Sequence, residues 1–311
     1  MFAKGDPFRD DLLLSRGELL LTKQGLSISH GGYEERGDET GMLARESADI
    51  SAMIGLIGTQ DFGQALDRML RSVTSFDLSV AFAYPYDARP IVLHDGYTAK
   101  VSASALSAYL GGAYLLDPFY VACSAGQPAG LWRMRELAPD RFFQSDFSSS
   151  AEVHPCVSME SGVLVEEVGF VIPLDGGLQA TYSLMRGRGG QPFSEAELER
   201  LRVYEPIVRE AVRSNWRQHG RSFAPPPSEE GDNVMEAAFD SLCSDRLTKQ
   251  QRNIVRLILR GHSNLSIGKV MNIAEGTVRI HRKNIYRRLG ISSQGALFRI
   301  FIDHLNGRQL Y

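Results

Sequence analysis

Cysteine is scarce in this chain of 311 residues: Cys123, Cys156 and Cys243 are the only three, odd in number and far apart. That pattern fits neither a disulfide framework nor a zinc ligand set, and it suits a reducing compartment. Long apolar runs are also missing, none approaching the roughly 18 residues that a membrane span requires. The opening stretch, MFAKGDPFRDD, turns acidic where a secretory signal would become apolar. A soluble, cytoplasmic protein with no membrane partner is therefore expected.

Catalytic constellations are lacking as well. Ser145, Asp146 and His154 lie near one another in sequence, yet no nucleophile elbow, carboxylate pair or phosphate loop frames them. Cys123 and Cys156 have no neighbouring cations to lower a thiol pKa, which argues against a redox sensor. His262 and His281 have no carboxylate or cysteine company, so neither a metal nor a cofactor is expected. Nothing in the sequence supports an enzyme.

What is present is ordinary globular composition, with 43% apolar and 23% charged residues, in a chain long enough for two domains. The formal net charge of -3 conceals a division. From Asp245 to Tyr311, 13 Lys or Arg stand against 3 acids, whereas the remaining 21 cations face 34 acids. Such an asymmetry points to a polyanion-binding module attached to a body that avoids polyanions.

Periodicity supplies the organisation. Residues 1–45 read as a loose arm or small hairpin. Ile50, Met53, Ile54 and Ile57, then Phe62, Leu66, Met69 and Leu70, mark two amphipathic helices, with Asp61 a candidate N-cap for the second. Phe76 to Tyr86 and RPIVLHDGY read as strands, and VGFVIPLDGGLQATYSLMRG as two more around Asp175-Gly176-Gly177. A helical SASALSAYLGGAYLLDPFYVACSA and a loop-rich crossing from Gly126 to Gly162 lie between the pairs. A last helix opens on the capping-box pair Ser194 and Glu197, sends Leu198, Leu201, Tyr204 and Val208 inward, and contains Pro206, which is expected to kink it. This order predicts an α+β domain over 46–218, an antiparallel sheet flanked by helices. Pro225 to Pro227 stiffen a linker at 219–232.

Residues 233–311 read as an all-α domain of four short helices. Leu247, Ile254, Leu257 and Ile258 face inward on the first, which stops at Gly261, and Ser263 starts the second, where Leu265, Ile267 and Val270 are apolar. After a tight turn, Val278, His281, Ile285 and Leu289 form one stripe on the third. Its other side carries Gly276, Arg279, Ile280, Lys283 and Arg287, so the cations are segregated. Two short helices with a cationic second one predict a helix-turn-helix whose second helix enters the DNA major groove.

The segment LTKQQRNIVRLILRGHSNLSIGKVMNIAEGTVRIHRKNIYRRLGI resembles the DNA-binding domain of the LuxR family of bacterial transcription regulators. Its L-T, G-x-S-N, T-V-x-x-H and R-L-G elements fall at matching spacing over about 60 residues. The resemblance implies that Arg279, Ile280 and Lys283 read bases. By chemistry Arg279 suits guanine or a phosphate and Ile280 a thymine methyl, while Lys283, Arg282 and Arg287 suit phosphates. Thr277 and Asn264 sit at helix starts, where phosphate is held. The chain departs from the family pattern at Gln251 (usually glutamate), Gly268 (alanine), Ala274 (a capping serine) and Gln294 (arginine).

Residues 109–137 resemble the family's autoinducer-binding, or more broadly GAF/PAS-like, domains through Tyr109, Asp117-Pro118 and Trp132, and Gly169 to Leu174 resemble its G-x-x-x-P strand. That resemblance implies that Asp117 accepts a hydrogen bond from a ligand amide and that Tyr109 and Trp132 hold a polar head, such as an acyl-lactone-like signal or a metabolite. Tyr114, Phe119, Tyr120 and Phe82 would line an apolar pocket. Equally, aromatics at helical spacing form core, and an Asp before Pro opens a turn. The expected protein is a homodimeric regulator of promoter or operator DNA, with RNA polymerase a further contact. The alternative is a ligand-independent regulator whose N-terminal domain serves dimerisation or protein contact.

Overall fold

The computed structural model describes residues 31–85, 88–97, 103–144, 158–159, 162–187, 189–219 and 234–305. The expected linker from 220 onward, Cys156, Ser145, Asp146, His154 and the first 30 residues lie outside the described residues. The chain divides into two compact units, Met1–Ala44 and Arg45–Tyr311. Sheet and C-terminal helices thus belong to the same unit.

Helix α1 spans Gly31–Ile54, beginning well inside the stretch expected to be an arm or hairpin. Met53 is buried but Ile54 is 55% exposed, so the expected apolar stripe is only partly used. Helix α2 (Phe62–Val73) buries Phe62, Leu66, Met69 and Leu70 as its spacing predicts. Asp61 occupies the N-cap position without a side-chain cap bond, because its backbone is already helical.

Five strands form one antiparallel sheet. β1 (Leu78–Tyr84) pairs with β2 (Ile91–Asp95), and after helices α3 (Ala103–Leu110) and α4 (Pro118–Ser124) the chain enters β3 (Gly130–Arg133) and the one-turn α5 (Met134–Leu137). A small hairpin, β4 (Ser158–Met159) with β5 (Gly162–Val163), precedes β6 (Glu166–Pro173) and β7 (Gln179–Arg186). The order across the sheet is β2-β1-β7-β6-β3. Strand β3 lies in the crossing read as loop-rich, because four residues are too few to show a period of two.

Alternation along the strands gives the sheet two faces. Ala81, Ala83, Phe170, Ile172, Tyr182 and Leu184 face α2 and α6 (Glu195–His219), where Leu198, Leu201 and Val208 are fully buried. Helix α6 opens on the expected capping box, with the Ser194 amide donating to Glu197 at 2.8 Å and the Glu197 amide to the Ser194 hydroxyl at 3.3 Å. It continues through Pro206 without ending. Leu78, Val80, Phe82 and Tyr84 face the other way, toward α3 and α4.

Five helices follow among the described residues, the four expected ones preceded by a further short helix: α7 (Val234–Ser241), α8 (Lys249–Leu259), α9 (Asn264–Met271), α10 (Glu275–Leu289) and α11 (Gln294–Leu305). Their buried residues, among them Ile254, Ile258, Val278 and Ile285, together with Leu247 just before α8, belong to the same contiguous apolar cluster as Phe82, Tyr84 and Tyr120 of the sheet domain. No described helix is long and apolar enough to cross a membrane.

Candidate functional site

Helix α8 begins on Thr248, whose hydroxyl accepts from the Gln251 amide at 3.3 Å while the Gln251 side chain accepts from the Thr248 amide at 3.1 Å. Glutamine thus completes the capping box that glutamate would make. Its Oε1 also accepts from Arg288 of α10 at 3.1 Å, tying the two helices. Gly261, at φ +88°, ends the α8 region in the left-handed conformation expected of a C-terminal glycine. Ser263 then caps α9 by accepting from the Ser266 amide at 3.0 Å.

The turn between α9 and α10 explains two departures. Asn272 takes the left-handed C-cap position at φ 54°, and a Cβ on Gly268 would fall 2.8 Å from the Ile273 carbonyl oxygen, so glycine lets the turn close here. Ala274 stands at the N-cap of α10 with extended backbone and no side-chain cap bond. Glu275 in the first turn supplies the negative charge that such a terminus favours. Gln294, in place of arginine, donates to the Ile258 carbonyl at 3.0 Å and fastens α11 to α8.

On α10, Val278, Ile285 and Leu289 are buried, while His281 is only half-buried. Thr277, Arg279, Ile280, Lys283 and Arg287 are exposed, Ile280 at 62% despite its apolar side chain. Arg279 pairs with Glu275 one turn earlier at 2.7 Å, a contact that sequence reading did not assign. Arg287 donates to the Asn284 side chain at 2.9 Å. Arg282 is half-buried with its guanidinium 5.3 Å from the Tyr286 ring centre, and so stands apart from the outward row. Asn264 lies at the start of α9 as expected, but its side-chain oxygen is buried, so that atom is turned away from solvent. Leu265 and Val270, read simply as apolar positions of α9, are 53% and 59% exposed.

The second group of predicted residues meets on the sheet face opposite α6. Asp117 caps α4, accepting from the Phe119 amide at 2.8 Å, and also accepts from the Tyr109 hydroxyl at 2.7 Å. The Tyr84 hydroxyl lies 3.2 Å from that of Tyr109 and 3.1 Å from that of Thr181, extending the chain of polar contacts across β1 and β7. Phe82 stacks on Tyr109 with ring centres 4.6 Å apart, and Tyr114 meets Tyr120 edge-on at 4.8 Å. A Cβ on Gly169 would come within 2.6 Å of the Phe119 ring, so the bare glycine backbone seats that ring on the sheet. Trp132 is half-buried on the edge strand β3, its indole N–H donating to the Pro128 carbonyl at 3.0 Å. Tyr84 and Thr181 were missed, although Leu78, Val80, Phe82 and Tyr84 at every second position gave a signal for the former.

Burial, with the Asp117 charge next, raises the Tyr84 phenol well above its ordinary pKa. Burial does the same for the Cys123 thiol, again reinforced by Asp117. These groups act as neutral hydrogen-bonding or packing groups near neutrality. Among the described residues no group of three or more His, Cys, Asp or Glu is arranged to hold a metal ion.

An α+β domain joined to a helix-turn-helix with an outward cationic second helix defines a DNA-binding regulator with an appended domain. The luxR family of bacterial regulatory proteins matches residues 245–301. An HTH-type transcriptional regulator from the exeN 3′ region of Aeromonas salmonicida is 32% identical over 193 residues, 61% of this chain and 94% of that protein. That alignment is longer than everything from Asp245 to the C-terminus, so it reaches into the sheet domain. The chain belongs to the LuxR family of bacterial regulatory proteins, whose members here are transcriptional regulators and not enzymes. The transcriptional regulatory protein MctR of Rhizobium johnstonii is 41% identical over 61 residues, 20% of this chain and 28% of its own length. Of solved structures, the VqsR LBD domain of Pseudomonas aeruginosa has 19% identity and a TM-score of 0.44, covering 59% of this chain and 99% of that one. SdiA of Escherichia coli has 15% identity and a TM-score of 0.38, covering 89% and 100%.

Proposed function

We propose that this LuxR-family regulator reads a promoter or operator through α10, with Arg279 and Ile280 at base edges and Lys283, Thr277, Arg287 and Arg282 on phosphates. The carrying observation is the exposure of Arg279, Ile280 and Lys283 on the side of α10 away from buried Val278, Ile285 and Leu289. Arg279 is held toward the start of the helix by Glu275, which narrows the directions in which its guanidinium forks onto a base. The protein works in the cytoplasm as a homodimer on two half-sites, with RNA polymerase a further contact. Selection of duplexes from a random pool tests the base assignment. Arg279→Ala is expected to relax the preference at one or two base pairs while Lys283→Ala lowers affinity more uniformly. Identical selected sequences for wild type and Arg279→Ala would remove Arg279 from base reading.

The sheet domain senses a small amide- or lactone-bearing effector at the face formed by Asp117, Tyr109, Tyr114, Tyr120, Phe82, Phe119 and Trp132. The supporting feature is a buried carboxylate and hydroxyl network set among aromatic rings. A second reading, a domain that only dimerises, draws support from Asp117 already accepting two hydrogen bonds within the chain. Thermal denaturation against acyl-lactones and small metabolites separates them, since an effector raises the melting temperature with its concentration. No shift with any acyl-lactone or metabolite tested favours the second reading.

A further inference from the structure

Helix α8 carries a cationic face to which the reading of α10 gives no role. Its sequence, KQQRNIVRLIL, contains no acid. At about 3.6 residues per turn, Lys249, Arg252, Arg256 and the C-cap residue Arg260 fall within an arc of roughly 80°. The buried Ile254 and Ile258 lie on the opposite side of the helix. Gln251, through which Arg288 ties α10 to α8, also lies away from the arc.

Burial along the arc makes these cations unusual. Lys249 is exposed, but Arg252, Arg256 and Arg260 are half-buried. The Nε atoms of Arg252 and Arg256 are buried and have no hydrogen-bond partner. Arg252 uses part of its guanidinium, donating from Nη1 to the Leu247 carbonyl at 2.8 Å. The Arg256 side chain makes no hydrogen bond or ion pair among the described residues. One turn further on, Arg260 stands with its guanidinium 5.6 Å from the Phe239 ring centre. Its pKa is lowered to about 10, by burial first and by the Arg256 charge next, with Tyr120 acting in the opposite sense.

A half-buried cation without an acceptor is costly, and a like charge one turn away adds to that cost. The negative end of α8 offsets part of the repulsion but gives the Arg256 fork nothing to bind. An anion shared by the two guanidiniums would remove both costs. Arginine forks take phosphoryl oxygens in pairs, and each phosphoryl group brings more charge than a carboxylate. Positions 252, 256 and 260 are spaced by about 6 Å along the helix axis, so an anion with several linked phosphoryl groups can follow them.

We propose that Arg256 and Arg260, with Arg252 and Lys249 along the same arc, form a binding site for a free anion carrying two or more phosphoryl groups. Half-burial of three of the four cations suits a small anion better than a duplex backbone. The site is separate from the α10 surface and stands whether or not α10 reads DNA.

Isothermal titration of the full-length chain with sodium pyrophosphate, against sodium chloride at matched ionic strength, tests the site. Wild type should bind pyrophosphate and show a melting temperature that rises with its concentration, a reading that needs no variant. Arg256→Gln is expected to weaken binding by about tenfold or more, and Arg256→Lys, which keeps the charge and loses the fork, by several-fold. The Arg279→Ala, Lys283→Ala double variant should bind pyrophosphate as wild type does, and Arg256→Gln should bind a labelled duplex of mixed sequence as wild type does. No heat and no rise in melting temperature beyond the sodium chloride control overturns the site, as does equal pyrophosphate affinity in wild type and both Arg256 variants. Loss of pyrophosphate binding in the α10 double variant would put the anion on the DNA-reading surface, and loss of duplex binding in Arg256→Gln would make the arc a DNA contact. Either result also overturns the site.

Discussion

Replacing Asp117 by alanine removes two interactions whose costs can be worked separately. The Phe119 amide at the start of α4 loses its cap, a loss of about 1 kcal/mol. The Tyr109 hydroxyl, on a residue with no exposure, loses its acceptor at 2.7 Å, which costs a further 1–3 kcal/mol, roughly, for a buried polar group. Together these give about 2–4 kcal/mol, which for a domain of this size lowers the melting temperature by roughly 5–15 °C. Circular dichroism on Asp117→Ala, Tyr109→Phe and the double variant measures it. The two changes share a partner, so the double variant should lose about 1 kcal/mol less than the sum of the singles. A melting temperature for Asp117→Ala within a degree of wild type would refute the assignment of Asp117 as a structural hub, and with it the claim that this network is preformed.

Three further expectations follow from particular contacts. Glu197, salt-bridged to Arg186 at 2.5 Å, has its carboxyl pKa depressed well below the ordinary 4.5, the Arg186 hydrogen bond being the largest cause. The unfolded chain therefore takes up this proton first as pH falls, so the stabilisation is complete above about pH 5 and fades below it. The stability gap between wild type and Glu197→Gln should be about 2 kcal/mol at neutral pH and shrink toward pH 3, and a gap independent of pH would contradict this. Gly169→Ala should destabilise by about 1–3 kcal/mol by pushing the Phe119 ring off the sheet, which Phe119→Leu in the same chain should partly relieve in a denaturant titration. Gln251→Glu would set a carboxylate against Arg288 and at the first turn of α8, and should raise stability by about 0.5–1 kcal/mol; a loss would mean that the buried position cannot accept the charge.

Much of this architecture could be read from residue spacing alone. The paired strands around Asp175-Gly176-Gly177, the capping box at Ser194 and the split faces of α10 each follow from a local period or a local hydrogen bond. Strand β3 escaped because four residues carry no period, and the start of α1 because residues 31–45 show no apolar stripe at helical spacing. Exposure of Leu265 and Val270 depended on which neighbours α9 finds, which its own spacing does not state. The contact of Asp140 with Ser263 joins positions 123 residues apart, and no one-dimensional pattern links them. Within the candidate sensor face, the residues taken from family resemblance were brought together by the fold, whereas the hydroxyls of Tyr84 and Thr181 became visible only through the pairing of β1 with β7.

The central claim, that α10 is the surface that meets DNA, is tested most directly by a salt titration of duplex binding. Wild type is compared with the Arg279→Ala, Lys283→Ala double variant, using a duplex selected by the wild-type chain. Both side chains are exposed and the helix buries neither, so the variant should keep its melting temperature. The account predicts that affinity at about 0.1 M salt falls by about a hundredfold or more and that the salt slope drops by about one. Equal affinity and equal slope for the two chains would contradict it.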